Sequence, residues 1–145
     1  MTTYRVLGTT DDVTTCEICG REELKGTIVL GVLDADGNVE AEIYAGSSCG
    51  ARAAGRKGRN AAAKLRAEAD AATYAVRAAA DDARKMRDHY QWDTVSFSRV
   101  VMAFRMAHMA AVWAPGTTLD QWREMTQAMI TRRSADIAAA ESLGL

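Results

Sequence analysis

Proline occurs once in these 145 residues, and aromatic side chains make up only 6% of them. The first scarcity excludes a proline-rich linker or an extended polyproline recognition segment. The second leaves little from which to build a base-stacking platform. No run approaches ~18 consecutive apolar residues, so neither a transmembrane helix nor a membrane partner is expected. The opening stretch MTTYRVLGTTDD has none of the apolar core of a secretory signal, and the expected location is a reducing cytoplasm. A formal net charge of −1 gives no global pull towards nucleic acid or anionic lipid. Any such binding must come from a local patch. Three cysteines are too few, and odd in number, for a disulfide framework.

What is present divides the chain into an N-terminal part, 1–58, and a helical part, 59–145. Residues 4–8, YRVLG, read as a short strand leading into the polar turn TTDD. TIVLGVLD (27–34) and VEAEIYA (39–45) read as two strands joined by ADGN. The aspartate–glycine pair is a hairpin signal, because glycine tolerates the positive φ of a tight turn. Alternation puts Ile28, Leu30 and Val32 on one face and lets Val39, Ala41 and Ile43 line the matching one, with Glu40 and Glu42 in solvent. In GSSCGARAAGRKGRN, Ser47 or Ser48 is expected to cap a short helix carrying Cys49 in its first turn. Gly55 and Gly58 should break that helix, and Asn60 should cap the next.

From Ala61 to about Gln91, Leu65, Ala69, Ala72, Val76, Ala79, Ala83, Met86 and Tyr90 alternate spacings of four and three. That is a heptad seam on a helix roughly 45 Å long, to be covered by the following helices or by a second chain. A second helix is expected over Thr94–Trp113, ending at Pro115 and apolar on most sides. A third opens at Thr118, which with Gln121 makes a capping-box pattern. Its expected buried stripe is Trp122, Met125, Met129, Ile137 and Ala140, and Gly144 is its expected stop. The predicted fold class is therefore α+β.

Cys16 and Cys19 are spaced so that one tight turn can aim both sulfurs at one ion, with Gly20 supplying the backbone freedom. Cys49 sits at a helix start, where the helix dipole favours a thiolate. Knuckle, hairpin and helix-borne ligand, in that order, describe a treble-clef-like zinc module. Zinc is thus the expected cofactor, held by Cys16, Cys19 and Cys49. A structural zinc takes four partners. The usual second helix position is Arg52, which cannot ligate. His108 is the preferred fourth ligand, provided the second helix runs back; His89, Asp11, Asp12 and water are the alternatives. A redox dithiol or simply buried cysteines are the competing readings.

The stretches TTCEICGREELKGTIVL and IYAGSSCGARAAGR resemble a module of small actinobacterial and actinobacteriophage proteins. The likeness covers about residues 4–58. It picks out Cys16, Cys19, Gly20, Arg21, Tyr44, Gly46, Cys49, Arg52 and Ala53. It implies zinc binding and a bacterial host cell, and it implies no activity.

Between Cys49 and Arg66 the charged side chains are all basic: Arg52, Arg56, Lys57, Arg59, Lys64 and Arg66. Beside a zinc module they form the candidate nucleic-acid contact, against the plainer reading of a solvated face. DADGN shares the alternating carboxylates of a calcium loop, but Val39 and Ala45 stand where that loop needs glycine and glutamate. A zinc deaminase needs a glutamate two residues after a ligand, and position 51 is alanine. No catalytic constellation is found, so an enzyme is not expected. The leading expectation is a zinc-binding protein that contacts nucleic acid through the basic segment, as a homodimer. The alternative is a phage-type protein-interaction factor, an inhibitor of a host complex, with purely structural zinc.

Overall fold

The computed structural model describes residues 2–93, 100, 102 and 118–145. Among them are three strands, β1 (Thr3–Thr10), β2 (Thr27–Leu33) and β3 (Val39–Ala45), and three helices, α1 (Ser47–Ala53), α2 (Ala61–Tyr90) and α3 (Leu119–Ser142). The strands form one antiparallel sheet in the order β1-β2-β3. The fold class is α+β. None of the described helices is long and apolar enough to cross a membrane.

The run of β-branched and aliphatic residues in TIVLGVL suits a strand covered on both faces. β2 is indeed central, and Thr27, Ile28, Val29, Leu30 and Gly31 are all buried. Its hairpin with β3 turns at Asp34–Asn38. The Asp34 carboxylate accepts the Asp36 and Asn38 backbone N–H groups at 2.9 and 2.8 Å, and Gly37 takes φ +83°. Those bonds, first among them the one from Asn38, hold the Asp34 carboxyl below the usual range. The carboxylate is thus a turn-former. The expected pairing of faces fails at the turn end: Val39 is 39% exposed and Ala41 is exposed, whereas Ile43 and Ala45 are covered. The buried cluster lies at the other end of the hairpin, against α1 and α2.

The packing separates two compact units, Met1–Arg77 with Glu141–Leu145, and Ala78–Ala140. The division falls inside α2, not at the α1–α2 loop. The reason is that the first turns of α2 belong to the core under the sheet. Ile28, Leu30, Ala51, Leu65 and Ala69 form one buried cluster, flanked by Tyr4, Val6 and Ile43. Fully burying each of Ile28, Leu30 and Leu65 contributes about 1.5–3 kcal/mol. Gly50 lets α1 settle there: a β-carbon on it would stand 3.1 Å from Leu65 Cδ2. β1 is tied to α2 by Thr73, whose Oγ1 accepts the Thr9 N–H at 2.6 Å. A β-carbon on Gly8 would meet the same Oγ1 at 2.7 Å.

α1 ends as the glycines require. Gly55 takes φ +67°, with Gly55 N–H bonded to Arg52 O and Arg56 N–H to Ala51 O, a Schellman pattern. Its start differs from expectation. The capping residue is Gly46, with no side-chain cap bond, so neither Ser47 nor Ser48 caps it; both lie within the first turn.

In the second unit, the second half of α2 and α3 are joined by an ion pair between Asp82 and Arg133. The heptad positions of α2 are all buried or half-buried within the single chain. The capping box of α3 is formed as its sequence predicts. Thr118 N–H donates to Gln121 Oε1 at 2.7 Å, and Gln121 N–H to Thr118 Oγ1 at 3.3 Å. Trp122, Ile137 and Ala140 are buried, but Met125 is 39% exposed and Thr126 takes its place inside. The stripe advances four residues from Trp122 rather than three. Gly144 follows the helix end with φ +72°. The expected second helix, Thr94–Trp113, lies outside the described residues except for buried Val100 and exposed Met102.

Candidate metal centre

Two separate pieces of chain carry the cysteines. The first is the turn after β1. Cys16 N–H donates to Arg21 O and Gly20 N–H to Cys16 O, each at 2.8 Å, and Gly20 takes φ +71°. The turn is clipped to the free edge of β3 by Glu17, whose N–H donates to Tyr44 O at 2.8 Å. Tyr44 N–H returns a bond of 2.8 Å to the Glu17 carboxylate. The second piece is α1, which places Cys49 at its third residue, directly after β3. Because β3 anchors both pieces, a thiol pair and a third thiol 30 positions on are brought together.

The sulfurs of Cys16, Cys19 and Cys49 lie within 4.8 Å of one another. Zinc–thiolate bonds of about 2.3 Å in a tetrahedron separate sulfurs by roughly 3.8 Å, so a small closure brings all three onto one ion. Cys16 is buried, Cys49 half-buried and Cys19 exposed. The three cysteines are positioned to hold a metal ion.

The electrostatics favour one thiolate at the start. Burial raises the Cys16 thiol, but N–H groups of Gly46, Cys19 and Ile18, together with the Cys19 thiol, outweigh it and lower Cys16 to about 7. Cys49 is raised to about 11, first by its hydrogen bond with Cys19, then by burial and by the charge of its two neighbours. This reverses the expectation that the helix start makes Cys49 the thiolate. A thiol already donating to neighbouring sulfurs keeps its proton. A divalent cation held here would replace those protons, so its binding would release them and would tighten as pH rises.

The other expected ligands are dispersed. Asp11 Oδ1 accepts the Gly26 N–H at 3.0 Å, and the Asp12 carboxylate lies against Gly144. His89 is exposed and stacks edge-on with Tyr90. None of these joins the cysteines. His108 lies outside the described residues. Beside the sulfurs opens a cleft of about 390 Å³, walled by Arg21, Glu23, Leu24, Lys25, Ser47 and Ser48. Sequence reasoning missed Glu17 as the clip and Glu23 as a wall residue, since neither has a spacing that announces its role.

The basic segment divides. Arg56 pairs with Glu68 at 2.6 Å. Arg66 pairs with Asp70 at 2.9 Å and donates to Gly26 O at 2.6 Å and Lys25 O at 3.1 Å. Arg66 thus fastens the loop after the cysteine turn to α2. Arg52, Lys57, Arg59 and Lys64 are exposed and make no ion pair among the described residues. No family model, curated protein or solved structure matches the chain.

Proposed function

We propose that this chain is a non-enzymatic binding protein in which Cys16, Cys19 and Cys49 hold a structural zinc ion in a treble-clef-like module. The observation that carries the reading is the mutual 4.8 Å approach of three sulfurs from two separate elements. An all-thiolate set suits a soft or borderline-soft cation, and zinc is the one that commonly closes such sites structurally. The cysteine turn at the site is held by backbone hydrogen bonds, its residues apart from Cys16 being largely exposed. Metal binding there adds directly to folding free energy. Elemental analysis of protein purified without added zinc tests the reading. One zinc per chain is expected; three titratable thiols and no metal would overturn it.

For the partner, the reading is nucleic acid, contacted by the exposed cations Arg52, Lys57, Arg59 and Lys64 through phosphates. Arg56 and Arg66, already paired with Glu68 and Asp70, complete the basic segment with a smaller expected share of the contact. Fluorescence anisotropy of a labelled DNA duplex should show salt-dependent binding. Lys57→Gln and Arg59→Gln should each lower the salt slope by roughly one. A slope indistinguishable from wild type would remove both residues from the contact.

A second reading, a protein-interaction factor such as an inhibitor of a bacterial host complex, is favoured by Ile18. This residue lies between the first two cysteines and is 48% exposed. Binding unaffected by salt and lost in Ile18→Asp would select it. Homodimer formation is read from native mass. Ala72, Val76, Ala79, Met86 and Tyr90 of the α2 seam are half-buried, and pairing through them would double the native mass.

A further inference from the structure

We infer that Glu23 supplies the fourth ligand of this metal, making the site three thiolates and one carboxylate; the inference rests on the zinc reading above. A structural zinc takes four protein partners, and the sulfurs give three. Five carboxylates lie close to the cysteine turn in sequence: Asp11, Asp12, Glu17, Glu22 and Glu23. Asp11 is committed to the Gly26 N–H and Glu17 to the Tyr44 N–H. Asp12 and Glu22 do not line the cleft beside the sulfurs. Glu23 does, and it is the one carboxylate among the described residues on that wall. It is exposed and has no hydrogen-bond or ion-pair partner among the described residues.

The backbone holds it there. Glu23 takes φ +58°, a conformation that side chains other than glycine and asparagine adopt rarely and that persists only where the surroundings impose it. Here they do. Arg21 O accepts the Cys16 N–H on one side, and Leu24 N–H donates to Thr14 O on the other, each at 2.8 Å. Glu23 is clamped between two fixed points, in the loop that leads away from Cys19. Its oxygens lie outside the group formed by the three sulfurs. Ligation therefore takes a rotamer change of an exposed side chain with three rotatable bonds, and the carboxylate oxygen displaces a water from the ion. Three thiolates and a carboxylate leave a zinc site with two excess negative charges. Arg21 and Lys25, on the same wall, offset them.

Cobalt titration of the reduced full-length chain tests the assignment, because cobalt reports thiolates and the remaining donor separately. Thiolate-to-cobalt charge transfer counts sulfurs, and the d–d bands report the fourth ligand. In Glu23→Gln the charge transfer should persist while the d–d bands shift. Affinity should fall at least about tenfold, the lower end of what removing even an outer partner of a ligand costs. Glu23→Asp should recover part of the loss. Glu23→Gly, which suits the backbone, should fold at least as well without metal and bind it as weakly as Glu23→Gln. His108→Ala should leave both bands and affinity unchanged. Wild-type bands and affinity in Glu23→Gln, or the shift appearing in His108→Ala instead, would overturn the Glu23 assignment alone. Absence of charge transfer in the wild-type protein would overturn the zinc reading and this assignment together.

Discussion

The two compact units are built on different principles. In Ala78–Ala140 the described helical segments pack by period. Small and apolar residues recur at helical spacing, a capping box starts α3, and an ion pair links it to α2. In the sheet-bearing unit, Met1–Arg77 with Glu141–Leu145, the chemistry-bearing residues are placed by individual hydrogen bonds. Glu17 clips the cysteine turn to β3, Arg66 fastens the loop behind it, and Thr73 ties β1 to α2. Periodic packing distributes stability over many similar contacts, so single losses are graded. A clip-and-metal arrangement concentrates it, so single losses are abrupt.

The sharpest way to break this comparison is to remove the metal. Cys16→Ser, or a strong chelator, should abolish stoichiometric zinc binding and lower the stability of the folded cysteine turn and α1, with helical signal from the second unit retained. Structural zinc sites carry on the order of 10 kcal/mol or more of apparent binding free energy. Circular dichroism with and without chelator checks this. Complete loss of helix on chelation would show that the units do not melt separately.

Next come the two cores. Leu65→Ala should destabilise the sheet-bearing unit by about 2–5 kcal/mol, and Trp122→Ala the helical unit by about 3–5 kcal/mol. Urea titration read separately at both units should move one transition for each variant. Only Leu65→Ala should lower zinc affinity, since Leu65 packs under Gly50, beside Cys49.

A smaller effect is expected from pH on the metal-free chain. Cys16 is lowered to about 7 from an ordinary value of 9.0, so its contribution is fully present above pH 9 and is lost as pH falls through 7. Cys49 is raised to about 11, so its contribution is present below pH 9 and is lost as pH rises through 11. Metal-free stability should therefore peak near pH 9, with the urea midpoint lower at pH 6 and at pH 11. Zinc-loaded protein should lose the high-pH decline, because bound thiolates carry no proton to release.

The smallest change is Thr118→Ala. It removes one side of a reciprocal cap at the start of α3 and should cost about 0.5–2 kcal/mol. The thermal midpoint of the helical unit should fall by a few degrees with zinc content untouched.

Much of this fold was legible in the residues, and the misses share a cause. The hairpin, the helix break at Gly55, the α3 cap and the three-cysteine set each have a local signature: a turn pair, a left-handed glycine, a Thr–Gln spacing, a Cys-x-x-Cys. Thr9 and Thr10 have the chemistry of turn formers, yet both pair in the sheet with Ile28 and Thr27, so β1 outruns the five residues its sequence marks. A helical stripe tolerates steps of three or four, and packing buries Thr126 rather than Met125. Ser47 and Ser48 have the right chemistry for a cap, but Gly46 occupies the position.

By itself, then, the sequence determined which residues could be strand, helix, cap and ligand, since these depend on local backbone preference and side-chain chemistry. Only the tertiary structure decided which carboxylates and guanidinia remain free. Glu17 and Arg66 are consumed by backbone groups far along the chain, and Glu23 is left on the wall of the cleft beside the sulfurs. Such assignments depend on which backbone groups come within reach of a side chain, and that is settled only when the chain closes on itself.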